Sequence, residues 1–222
     1  MSDAELTQAE ETANAAAEAA TDTAASAVAD ESVDGQLEEA TREEQVKLLD
    51  REASEFLTQG EWESAVERYE EIIELTEAAG DDAGKAEALN NIASVHLALE
   101  DWEQAQAYTA EAREFYQAAG DRAGEAVVLN NVAATHDGMG DWQQAIVVYG
   151  EALEIRRSLE DAEGEAKTLR NLAILYAQHG NPIRAKSYLN RAVVAAKRAK
   201  SRELVGLMRK TLSQLPRMRR RR

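Results

Sequence analysis

The residues of this 222-residue chain that could carry chemistry fall into three groups: histidines, arginines and asparagines. A metal site needs three or four ligands brought together, and thiolate sites need cysteine, of which the chain has none. His96 and His136 lie forty residues apart with no adjacent carboxylate recurring beside both, and His179 falls outside their series. They read as packing residues rather than ligands. There is no HExxH motif and no glycine-rich phosphate loop. The serines have no evident histidine and acid partners for a nucleophilic triad. With 42 acidic residues, chance pairs of carboxylates say nothing about acid–base work. The chain is expected to be no enzyme, with no cofactor and no metal. The arginines are different. Arg217, Arg219, Arg220, Arg221 and Arg222 form a run that would bind phosphate backbones or anionic lipid headgroups mainly through charge. No aromatic interleaving or recognition-helix pattern supports base reading. The asparagines recur as pairs, Asn90-Asn91 and Asn130-Asn131, with Arg170-Asn171 next in line. An amide offers both a donor and an acceptor, so a row of them can grip a peptide backbone whatever its side chains.

What would position such a row is a repeat. ALNNIASVHLALEDW, residues 88–102, returns as VLNNVAATHDGMGDW, residues 128–142. Trp62, Trp102 and Trp142 are forty residues apart, and the fourth copy reads Gly180-Asn181-Pro182. Gly80-Asp81, Gly120-Asp121 and Glu160-Asp161 fall midway. Leu89, Ile92 and Ala93 share one helical face, as do Leu129, Val132 and Ala133, and Leu169, Leu172 and Ala173. A forty-residue period with two turn signals describes two helices per unit, and such a unit buries its apolar faces only by stacking on its neighbours. Ala65, Ala105, Ala145 and Ala185 on the second helices would let backbones approach closely. Each tryptophan would cover its turn. Leu204, Leu207, Met208, Leu212 and Leu215 predict a capping helix, which Pro216 stops.

These units resemble tetratricopeptide repeats of the forty-residue kind found in kinesin light chains. The match rests on residues such as Leu129, Val132, Ala133, His136, Gly140, Trp142, Ala145, Tyr149 and Ala152, with counterparts in the other units. The resemblance implies an all-α, right-handed superhelical solenoid of antiparallel helix pairs, with first helices lining a concave groove. Carried over by position, the peptide-facing sites are Asn90, Ser94, Leu97 and Ala98; then Asn130, Ala134, Asp137 and Gly138; then Arg170, Ile174, Ala177 and Gln178. Asn91, Asn131 and Asn171 are either groove residues or bridges between repeats. Lys167 and Arg170 could read an acidic group or a C-terminal carboxylate.

The expected organisation is an acidic, alanine-rich disordered tail over 1–41, four repeats over 42–199, a capping helix over 200–215 and a basic tail over 216–222. Net charge is −17, but it is unevenly spread. Residues 1–40 hold eleven acids and no base, whereas residues 197–222 hold eleven bases and one acid. The head is a solubilising segment or an arm that docks on a partner or on the basic end. The basic end is solvated, contacts the acidic body, or meets nucleic acid or membrane. No signal peptide or transmembrane run is seen, so a cytoplasmic setting is expected, and an acidic surface also suits a salt-rich one. The reading is a protein-interaction scaffold that takes an extended peptide or a helix in its groove. The alternatives are association with nucleic acid or anionic lipid through the arginines, and a regulatory subunit whose groove binds its own tail.

Overall fold

A computed structural model describes residues 39–215. Most of the expected acidic head and all of the expected basic tail, with Arg217, Arg219, Arg220, Arg221 and Arg222, lie outside the described residues. By its contacts the chain divides into two units, residues 1–48 and 49–222. In the first, the described residues are helical and exposed for the most part, with Lys47 Nζ 3.3 Å from Glu43. The second is an all-α solenoid of helix pairs, with no strand among the described residues. The helices are α1 (39–59), α2 (Trp62–Ala79), α3 (Asp82–Ala98), α4 (Trp102–Ala118), α5 (Arg122–Gly138), α6 (Trp142–Ser158), α7 (Ala162–Gln178), α8 (Pro182–Arg198) and α9 (Arg202–Gln214).

The joints recur every twenty residues. Gly60, Gly80, Gly120, Gly140 and Gly180 take positive φ, and Glu100, Glu160 and Lys200 adopt the same left-handed conformation without being glycine. The residue after each donates its N–H to a carbonyl five positions back, as Asp121 does to Tyr116 at 2.9 Å, which ends the helix in a tight reversal. Except at Glu61, that same residue caps the next helix with its side chain. The side chains of Asp81, Asp121 and Asp161 accept from the N–H of Gly84, Gly124 and Gly164 at 2.9, 2.9 and 2.8 Å. Asp101, Asp141, Asn181 and Ser201 do the same for α4, α6, α8 and α9. One residue pair therefore both stops a helix and starts its neighbour.

The core is thin and built on alanine. Ala65, Ala93, Ala105, Ala133, Ala145, Ala173 and Ala185 are completely buried, which brings backbones together at the crossings. Ile92, Leu129, Leu169, Leu172, Leu189 and Met208 supply the larger buried volume. First helices touch first helices, α3 with α5, α5 with α7 and α7 with α9, so they lie side by side along one face of the stack.

Candidate functional site

On that face the asparagine row is only partly closed. Asn131, on α5, reaches back to α3, where its Nδ2 donates to Asn90 Oδ1 and Ser94 Oγ, each at 2.9 Å. Ser94 in turn donates to the Asn90 carbonyl at 3.0 Å. This rung ties two repeats together through Asn131 and occupies Asn90 and Ser94, two of the expected groove residues. One repeat on, Ala134 replaces the serine and the rung stays open. Asn130 donates to its own helix at Ala126 O, 2.8 Å away, and its buried Oδ1 has no hydrogen-bond partner. Asn171, the counterpart of Asn131, lines a pocket instead. Asn91 is half-buried on α3.

The cations of the fourth unit are engaged locally. Lys167 Nζ lies 2.8 Å from Glu163, one turn away on an exposed face. Arg170 Nε donates to Thr211 Oγ1 at 3.1 Å and so bridges α7 to α9. The structure does not bring the two together as a bare anion clamp.

What it does bring together is a pocket of about 210 Å³ reaching across three repeats. Leu97, Ala134, Ile174 and Leu175 form aliphatic walls, and Trp102 supplies an aromatic one. Asp137, Asn171 and Gln178 add polar groups, and Tyr149 lies beside them. Asp137 has a side chain only 13% exposed, and its Oδ1 is 2.7 Å from His179 Nε2. The His179 ring stacks on Trp142, centroids 5.1 Å apart. Burial raises the Tyr149 hydroxyl above the usual tyrosine range, and the Asp137 charge adds to it.

The family resemblance, carried over by position, placed Leu97, Asp137 and Gln178 at this face, with Asn171 as a groove residue or a bridge. It did not place Trp102, Tyr149 or His179 there. Trp102 reaches beyond its own turn because Gly138 leaves room; a Cβ there would run into the indole. The signal was present in the sequence as one glycine where the neighbouring units carry Ala98 and Gln178. His96 stacks on Tyr108, centroids 5.4 Å apart, with Nδ1 3.4 Å from Asp101 but not aligned for a hydrogen bond. Among the described residues no group of three or more His, Cys, Asp or Glu could hold a metal ion.

Helix pairs in register, capped every twenty residues and presenting one face of first helices, define a helical-repeat interaction module. The tetratricopeptide repeat family matches residues 53–118, 84–158 and 124–198. The chain belongs to that family, whose members are typically non-catalytic scaffolds. No curated protein matches it significantly. Among solved structures it is similar to BtubC (BKLC) from P. vanneervenii, with 25% identity and a TM-score of 0.57, covering 70% of this chain and 65% of that one. It is similar in fold to a Rap protein complexed with Competence and Sporulation Factor, at 18% identity, TM-score 0.67, and 77% and 48% coverage. The kinesin light chain TPR-like repeats of Podosopora anserina share 14% identity, TM-score 0.58, with 78% and 85% coverage. This chain thus spans 65% and 48% of the length of the first two. No helix among the described residues is long and apolar enough to cross a membrane.

Proposed function

We propose that this protein is an interaction scaffold that holds an extended segment of a partner protein along the face of α3, α5 and α7. The observation that carries this reading is the open rung: a buried amide oxygen at Asn130 without a partner, next to a pocket lined by polar side chains from successive first helices. A buried acceptor left unpaired is costly, and a rotation of the half-buried Asn130 side chain would turn its amide to a backbone N–H of a bound peptide. Asn90 and Ser94 lie toward one end of this face, and Arg170 and Lys167 toward the other, each cation with a partner of its own. The forty-residue period of the tryptophans favours the kinesin-light-chain kind of repeat. A cytoplasmic setting is part of this reading.

Affinity capture with intact protein, residues 41–222 and residues 1–215 as baits tests the reading. A discrete protein retained by all three, and lost when Asn130 and Arg170 are changed to Ala, is the expected result. Capture of nucleic acid or anionic lipid only by baits that keep Arg217–Arg222, and only at low salt, would sink it. Binding gained on removing residues 1–40 or 216–222 would assign the groove to the chain's own ends.

A further inference from the structure

The geometry points to a specificity site within this groove: the pocket at Asp137 and Trp102 takes one arginine side chain of the bound peptide. The inference rests on the groove reading and names what one of the peptide's residues must be. At about 210 Å³ the pocket falls below the roughly 300–1,000 Å³ of a small-molecule site, so it suits a single long side chain. The aliphatic walls, Leu97, Ile174 and Leu175, match a methylene stem that buries itself while its charged head finds partners. Those partners are present. Asp137 is a mostly buried carboxylate whose described bond engages one oxygen, with His179; a carboxylate has about four lone-pair positions, so the second oxygen has capacity left. Asn171 and Gln178 also line the pocket, and each carries an amide oxygen able to accept.

The choice of arginine over other cations follows from shape. A guanidinium is planar, weakly hydrated and carries five donors in a fixed fork, which suits a pocket lined by several acceptors and an indole. An ammonium is a compact, strongly hydrated charge that gains less from Trp102. A bare metal ion is a poor fit, because a hard dication takes six or more oxygens and this wall offers one carboxylate. An apolar side chain would leave Asp137 buried against it, which is unfavourable.

The test displays random decapeptides against the immobilised full-length chain. Enriched sequences are then made as fluorescein-labelled peptides, and affinity is read by anisotropy. Arginine at one fixed position, with affinity falling at least tenfold both when it is replaced by the isosteric neutral citrulline and when the protein carries Asp137→Asn, is the expected outcome. The citrulline arm uses unaltered protein, so it stands even if the variant folds poorly. Peptides that enrich without a fixed arginine, or that bind as well with citrulline, overturn the pocket assignment and leave the groove reading intact. Failure to enrich any peptide overturns both.

Discussion

Glu165 sits at the start of α7 between two guanidinium groups, Arg157 Nε at 2.8 Å and Arg198. Burial alone would raise its pKa, but the hydrogen bonds and charges of Arg157 and Arg198 outweigh it and hold the carboxyl below the ordinary glutamate value. A depressed folded-state value means this stability is present above the unfolded glutamate pKa and is lost as pH falls through the folded one. Glu165→Gln should therefore cost about 2 kcal/mol at pH 7, the scale of a hydrogen bond to a charged group. The gap from the parent should shrink in acid. Urea midpoints at pH 7 and pH 3 check this; an equal gap at both would mean that charge is not what Glu165 contributes. A second residue-scale expectation concerns Glu160, held at φ 54° in a joint where five equivalents are glycine. The left-handed conformation costs a non-glycine residue roughly 1–2 kcal/mol, and glycine gives back about 0.5–1 in chain entropy. Glu160→Gly should stabilise by a few tenths to about 1 kcal/mol in the same denaturation assay.

At the scale of the element, one substitution should change sign with its place on a helix. Gly124 packs at the start of α5 against the ring of Tyr116, and an added methyl would strike that ring. Tyr116 cannot easily yield, being 5% exposed; burial, then Glu87 and Asp121, pushes its hydroxyl up to about 12. Gly150, inside α6, has open space around it. Gly124→Ala should destabilise by about 1–3 kcal/mol through overpacking, whereas Gly150→Ala should stabilise by up to about 1 kcal/mol through helix propensity. Thermal midpoints of the pair decide the matter. The helix pairs themselves were legible because each joint is written locally, as Gly-Asp or its equivalents at a fixed interval. The rungs between repeats were not. Whether Asn131 or Asn171 closes its bond depends on Ser94 against Ala134, and that contrast matters only once two first helices lie side by side. Likewise Glu77 with Lys85, Gln117 with Glu125 and Arg157 with Glu165 join each second helix to the next first helix. The partners change type and even swap sign, so single positions show no pattern while the pair persists. The place of Trp102 and His179 at the pocket was illegible for the same reason, since their neighbours are some forty residues away.

Over the whole array, stability is a sum of repeat terms and nearest-neighbour interfaces, because each unit touches only those beside it. Among the described residues, α9 covers the C-terminal end of the array. α9 packs on α8 and α7, with Met208 completely buried and Leu204 and Leu215 nearly so. Those three belong to the same apolar cluster as Leu172, Leu189 and Ala196. Met208→Ala should cost about 2–5 kcal/mol at that interface. In a single cooperative globule the loss would lower protection everywhere alike. In a chain of neighbours it should fall mainly on α7, α8 and α9, with α3 and α4 changed far less. Native-state hydrogen exchange reads this directly, helix by helix. A uniform loss from α3 to α9 would show that the repeats unfold as one body. A graded loss would leave the pocket at Asp137 on the border between a steady half and a weakened one, with α7 supplying its yielding wall. Peptide affinity should then fall in Met208→Ala although Met208 does not line the pocket, and bound peptide should restore protection to α7.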